Sequence, residues 1–340
     1  MKKEISFLIC GVLIGALIAT CGFAVFLRGS KDASGNRGRQ VVLKLGHSLD
    51  PSHPVHKAME FMNERVAELS GQTVRIDIYP SSVLGSEVQC IEQLQNGSLA
   101  MTKTSTASVE NFVPEMSVFG LPYLFRNEAH YWDVLTSEVG KELLEKMEVK
   151  QLRGLCYYDS GSRNFYTKDR PIRTPDDLKG LKIRVMNSRT AMDMVSALGA
   201  APTPIAWGEL YTALAQGTVD GAENNPPSFT TNKHYEICKH FSKDAHTRVP
   251  DVLLISTEVW KGLGSQVQQW LQQAADESSV LQRKLWKEKT LESLEQAKAE
   301  GVTIYEVDQS LFAEKVKPMY EAIEDERIKV LVTRMREVKP

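Results

Sequence analysis

The sequence predicts an α/β protein built as two domains, and three observations carry that expectation. Short strand-like runs alternate with amphipathic helical runs through most of the chain. At 340 residues the chain is long enough for two hydrophobic cores, since one domain takes about 150. Between Ser265 and Glu300 neither Pro nor Gly interrupts the pattern, which predicts one helix, or two collinear ones, long enough to span two domains.

At the N-terminus, Lys2 and Lys3 precede Ile5 to Leu27, 23 residues without a charge, followed by Arg28 and a polar stretch to Arg39. At about 1.5 Å per residue such a run spans a hydrocarbon core of about 30 Å, so residues 1–39 read as a signal peptide or a retained anchor with a polar spacer. Ile18-Ala19-Thr20-Cys21 is similar to a lipoprotein box, with Thr where Gly or Ala is usual. Under each reading the body of the chain works outside the cytoplasm.

The body opens with an alternating strand, Val41 to Gly46, that leaves His47 at its carboxyl end. Pro54 then opens a helix carrying Ala58, Phe61, Val66 and Leu69 on one side. Val74 to Tyr79 is the next strand, and a helix begins near Glu87. Ala100 to Ser108 alternates small polar groups, among them Ser105, whose hydroxyls suit the lining of a site. Val113 to Phe125 is an aromatic, proline-broken connection to the helix from Asn127, and Leu152 to Tyr158 is an apolar strand with Gly161-Ser162-Arg163 at its carboxyl end.

Thr174 to Phe229 carries the densest functional signal. Leu181 to Val185 places apolar residues on one face and Lys182 and Arg184 on the other, the period of a strand covered on one side. A helix with Ala191, Met194, Val195 and Leu198 follows, then an extended Pro202 to Ile205, a helix from Trp207 to Gln216, and a strand at Thr218 to Ala222. These βα cycles predict a mostly parallel sheet, and in such sheets ligands sit beyond the carboxyl ends of the strands. Arg184 and Glu223-Asn224-Asn225 fall there. An arginine fork and two amides suit a small oxygen-rich anion, because guanidinium binds carboxylate at two points. On spacing alone a second account stands beside it: Arg184 paired with a nearby Asp, and Asn-Asn-Pro-Pro serving only as a turn.

Val252 to Ile255 is a further strand, and the long helix is expected to bury Leu271, Ala274, Ala275, Leu281, Leu285, Leu291 and Leu294. Val302 to Val307 gives a last strand, and Leu311 to Val338 an amphipathic helical segment broken or restarted at Pro318.

A net charge of -2 with interspersed signs argues against nucleic acid as a partner. Cys90, Cys156 and Cys238 show no paired spacing and read as small buried hydrophobes. His47, His53 and His56 lack a metal-ligand spacing, and His53-Pro54 reads as a helix start, so neither metal nor cofactor is expected. No GxGxxG, GxxxxGK[ST], HExxH or GxSxG occurs.

The strings GLKIRV and LGAAPTPIAWGELYTALAQGTVDGAENNPPSF, with YPSSVLGSE, VPEMSVFGLPYLF, GSRNFYT and DVLLIS in the same order, resemble the DctP-like extracytoplasmic solute-binding proteins of TRAP transporters from about residue 43 onward. The resemblance implies a two-lobed fold like that of periplasmic binding proteins, with crossing strands and a long helix spanning both lobes. Lobe one would be 40–161 plus 250–288, and lobe two 162–249 plus 289–340. It further implies a monomeric receptor, not an enzyme, that closes on a small organic acid and delivers it to membrane subunits. Carried over by motif, Arg184 is the carboxylate anchor, Arg163 a second cation, Asn224 and Asn225 the amides, and Trp207 an aromatic face, with its alternative a core residue at a helix start. Glu87, His47 and Ser105 supply polar contacts from lobe one. The ENNPPSF variant resembles the branch that takes sugar acids such as hexuronates, with C4-dicarboxylates the main competitor. A secreted enzyme acting on sugar acids is the rival from another class. An anchored sensory module is a third, for which the segment after the last helix leaves no signalling domain.

Overall fold

The computed structural model describes residues 40–339; the apolar leader and Cys21 lie outside them. In chain order the strands are β1 (Val41–Gly46), β2 (Val74–Tyr79), β3 (Met101–Ser105), β4 (Leu152–Tyr158), β5 (Arg163–Thr167), β6 (Lys182–Val185), β7 (Ala201–Pro204), β8 (Gly221–Asn224), β9 (His240–Thr247), β10 (Asp251–Ser256) and β11 (Thr303–Glu306). They form two sheets, ordered β2-β1-β3-β10-β4 and β11-β9-β5-β8-β6-β7. Each sheet is the floor of one lobe.

The chain passes from the first sheet to the second between β4 and β5, and returns between β9 and β10. The βα cycles are parallel as expected, β6 pairing with β7 and β8. The sheets as wholes are mixed, however, because β5 runs antiparallel to β8 and β9, and β10 antiparallel to β3 and β4. These two strands follow the short strand-to-strand crossings, whereas β11 is reached through a long helix and pairs parallel to β9. A strand entering a sheet from the cleft must run against βα strands that end there.

The first lobe's core gathers Ile91, Leu94, Phe119, Tyr131, Leu143 and Leu254. In the second lobe Phe165 and Tyr166, adjacent on β5, point to opposite faces of the sheet. Phe165 packs with Ile183, Val185 and Phe312, and Tyr166 with Leu214, Phe229 and Phe241. Cys90, Cys156 and Cys238 are buried, and no two of them are paired among the described residues.

The long helix is continuous, Ser265–Ala299, 35 residues. Leu271, Ala274 and Ala275 are buried as expected, but further along the buried stripe is Ser278, Gln282, Trp286 and Ser293, while Leu291 is 63% exposed. The cause is what lies beneath. Here the helix covers the β4–β5 crossing, where Tyr158 Oη meets Ser278 Oγ at 2.8 Å, and buried backbone polar groups need partners that leucine does not offer. Farther on, Thr230 Oγ1 of lobe two reaches Ser293 Oγ at 2.8 Å.

The C-terminal helices depart from expectation twice. The helix Gln309–Glu321 runs through Pro318, and the break comes after it, where Asp325 caps Glu326–Glu337 by accepting from Arg327 N. That last helix, expected in lobe two, buries Ile328, Leu331, Val332 and Met335 in the core of lobe one. Their spacing is a helical stripe that fits either lobe, so chain position alone assigned it wrongly.

Candidate ligand site

A cleft of about 550 Å³ lies where the strands of both sheets end. From lobe two, β6 contributes Arg184, 2% exposed. Its Nε donates to the Ile205 carbonyl at 2.9 Å, whereas Nη1 is buried with no hydrogen-bond partner among the described residues. Burial pushes this guanidinium below its ordinary value, with Tyr166 and Glu223 acting against the shift. The Trp207 ring centre lies 5.6 Å from the guanidinium carbon, within cation–π range, and His234 packs edge-on against the same ring at 5.2 Å.

Arg163, at the start of β5, also reaches the cleft, yet four of its five N–H groups are already engaged. Nε pairs with Glu223 Oε2, Nη2 donates to Glu223 Oε1 and to the Glu223 carbonyl at 2.8 Å each, and Nη1 donates to Asn224 Oδ1 at 3.0 Å. Behind this pair stands His246, with Nε2 3.3 Å from Glu223 Oε2 and Nδ1 2.6 Å from Asp244 Oδ2. Burial by itself would lower His246, but the two carboxylates outweigh it and raise the imidazole to about 9. Burial would likewise raise Glu223, but Arg163 and His246 bring it down to about 2. The second cation of the expected clamp is therefore a compensated one.

This network orients the amides. Asn224 Oδ1 accepts from Arg163 and from Asn225 N at 2.9 Å, which leaves Nδ2 as its donor. Asn225 Oδ1 caps the helix Pro226–Thr231 by accepting from Ser228 N at 2.9 Å, so this residue also presents Nδ2. Asn-Asn-Pro-Pro is thus both a helix cap and part of the cleft wall. Arg184 and the two amides make a donor-rich wall beside an aromatic face.

Lobe one supplies Glu87 and Ser105. Glu87 Oε2 accepts from Ser108 Oγ at 2.7 Å and Oε1 from Ser105 N at 3.3 Å, while Ser105 Oγ caps the short turn that follows through Ala107 N at 3.3 Å. His47 is not brought to the cleft. Its Nδ1 accepts from Leu49 N at 3.1 Å and its Nε2 faces His56 Nδ1 at 2.9 Å, so it is buried behind Ser48 and Leu49, which do line the cleft. His53 takes its place: it caps the helix Pro54–Leu69 through Val55 N, and its Nε2 lies 3.3 Å from Ser228 Oγ of the other lobe. The sequence reading had only the first of those roles.

It also missed Lys103, Asp251 and Trp286, which line the cleft. The signal for the first was a lysine inside the small polar run of β3, and for the second an aspartate directly after Pro250 at the start of a buried strand.

Two α/β lobes joined by crossing strands, with a polar cleft and a partnerless arginine nitrogen between them, define a solute-binding receptor. More particularly, the chain belongs to bacterial extracellular solute-binding protein family 7, the DctP family, whose model matches residues 45–327. It is similar to a TRAP periplasmic solute-binding protein of a Bradyrhizobium species in complex with α/β-D-galacturonate, at 38% identity and TM-score 0.85, covering 87% of this chain and 99% of that one. The counterpart from Xanthobacter autotrophicus Py2 with bound β-D-galacturonate gives 35% identity and TM-score 0.85 over 87% and 100% of the two chains. The C4-dicarboxylate-binding periplasmic protein DctP of Rhodobacter capsulatus is 32% identical over 264 residues, 77% of this chain and 79% of that one. The two-lobed receptor expected from the sequence motifs is thus established, and its family works outside the cytoplasm.

Proposed function

We propose that the receptor captures a sugar acid, glucuronate or galacturonate being the leading examples, and hands it unchanged to the membrane subunits of a TRAP transporter. The observation that carries this is the buried Nη1 of Arg184, which lacks a partner among the described residues and lies beside the free amide N–H groups of Asn224 and Asn225. A carboxylate satisfies the guanidinium, and ring hydroxyls satisfy the amides. Trp207 offers an apolar face to the C–H side of the sugar. A C4-dicarboxylate would call for a second free cation, and Arg163 is held by Glu223. The same relatives that support the family include galacturonate complexes, which favours this reading over the dicarboxylate one.

Arg163 then acts by holding Asn224, and Glu87 and Ser105 face the ligand from lobe one. The protein functions as a monomer with no nucleic-acid partner, exported by its leader. Calorimetry with glucuronate, galacturonate, galactonate, malate and succinate tests the assignment, with binding of at least one sugar acid expected. Binding of malate or succinate without any sugar acid overturns it. Mass spectrometry of the incubated ligand checks that no bond changes.

A further inference from the structure

The cleft is electrically asymmetric. At its lobe-two end Arg184 has no carboxylate within ion-pair distance among the described residues, and Arg163 beside it is balanced by Glu223. At the lobe-one end stand one cation and two anions: Lys103 Nζ is 2.9 Å from Asp251 Oδ2 and 3.6 Å from Glu87 Oε1. All three line the cleft. One end is therefore net positive and the other net negative. The exposed Glu209 at the mouth adds a further negative charge.

The lobe-one group is built rigidly. Lys103 and Asp251 are diagonal neighbours on one face of the antiparallel β3–β10 pair, where Asp251 lies opposite Ser105 and Leu253 opposite Lys103. Lys103 is 2% exposed, and an ammonium has three donors, of which Asp251 takes one at close range. Asp251 gives one oxygen to that contact and keeps the other as an acceptor. Burial pushes Asp251 above its ordinary value, the charge of Glu87 adds to the shift, and Lys103 acts against it. Additional negative charge is disfavoured at this spot.

We infer that Lys103 and Asp251 form a clamp for neighbouring hydroxyls of the bound acid, and that Asp251 with Glu87 excludes ligands carrying a second carboxylate. One hydroxyl donates to Asp251 and its neighbour accepts from Lys103, whereas a carboxylate has only acceptors to offer and meets two like charges out of bulk water. The inference rests on the sugar-acid reading and sharpens it. Uronates and aldonates, with one carboxylate, are admitted; aldarates, in which the far carbon is also oxidised to a carboxylate, are refused.

The test is calorimetry with two matched pairs, galacturonate against galactarate and glucuronate against glucarate, on the wild type, Asp251→Asn and Glu87→Gln. Circular dichroism verifies that each variant is folded. On the wild type the uronate of the better-bound pair should bind about a hundredfold tighter than its aldarate, since a like-charge juxtaposition costs several kcal/mol and each 1.4 kcal/mol is tenfold. Asp251→Asn should narrow that ratio by about tenfold, and Glu87→Gln should narrow it less. Should Asp251→Asn fail to fold, Glu87→Gln decides the matter. An aldarate bound as well as its uronate by the wild type overturns the inference and leaves the sugar-acid receptor standing. So does an unchanged ratio in the folded variants. If malate binds and no sugar acid does, both fall together.

Discussion

Gln282 closes a two-point hydrogen bond on the backbone of Asp159, its Oε1 accepting from Asp159 N at 2.7 Å and its Nε2 donating to the Asp159 carbonyl at 2.8 Å. A side-chain amide here supplies the pairing that a neighbouring strand would otherwise give. It fastens the long helix to the chain just as that chain leaves the first sheet for the second. Gly161, two residues on, has φ +58°, and a Cβ there would come within 2.8 Å of Trp286 Nε1.

Gln282→Ala should therefore lower stability by about 1–3 kcal/mol, the cost of leaving buried backbone groups unpaired. Chemical denaturation measures it. A midpoint equal to that of the wild type would show that Asp159 finds other partners.

Arg184→Lys keeps the charge and loses the planar fork. A charge-assisted hydrogen bond is worth about 1.5–3 kcal/mol, so affinity for the cognate acid should fall roughly tenfold to a hundredfold with the fold intact. Calorimetry showing undiminished affinity removes Arg184 from the role of anchor.

The buried chain Asp244–His246–Glu223–Arg163 makes stability depend on pH in a defined direction. His246 is raised from 6.5 to about 9 in the folded protein, so its contribution is complete below about pH 6.5 and is lost as pH rises through about 9. Glu223 is lowered from 4.5 to about 2, so its contribution is complete above about pH 4.5 and is lost as pH falls toward 2. Urea denaturation between pH 6 and 10 should show stability declining on the alkaline side. His246→Gln should flatten that decline. A decline of equal slope in the variant would place its origin elsewhere.

Elements whose signal is local were legible in the sequence. The alternation around Arg184 and the uninterrupted helix each state their conformation locally, whereas Asn-Asn-Pro-Pro, read as a clamp or a turn, also proves to cap a helix. What pairs with what was not. Arg163 and Glu223 are 60 residues apart in sequence, and nothing near Arg163 announces that its fork is already occupied. The same holds for His47, whose position after a strand is right for a cleft residue, but whose ring is turned inward by Leu49 N and His56. The polar stripe of the long helix was illegible for a related reason. Ser278 and Gln282 look like solvent-facing residues until the crossing segment beneath them is known.

Ligand-driven closure of the lobes is expected from the short crossings at residues 159–162 and 248–250. Small-angle scattering should give a smaller radius of gyration at saturating ligand. Superimposable profiles would rule out the hinge.

Closure has a contact of its own, outside the cleft's charged groups. Glu110, beside Val109 of the lobe-one core, accepts from Thr190 N at 3.0 Å at the start of the lobe-two helix Arg189–Ala197. Next to it Asn111 Nδ2 donates to the Asn187 carbonyl at 2.7 Å. Burial pushes Glu110 up, and the hydrogen bonds from Thr190, Ser188 and Arg189 act against that shift. These residues belong to different lobes, and if opening parts them, the free energy of the contact favours the closed state whichever ligand is present. Glu110→Ala should weaken every ligand by the same factor, about tenfold for the loss of one charge-assisted bond, because apparent affinity scales with the fraction of molecules able to close. The ratio of affinities between any two ligands should stay as in the wild type. A change in that ratio would mean that Glu110 contributes to recognition itself, and unchanged affinities would mean that the contact does not govern closure.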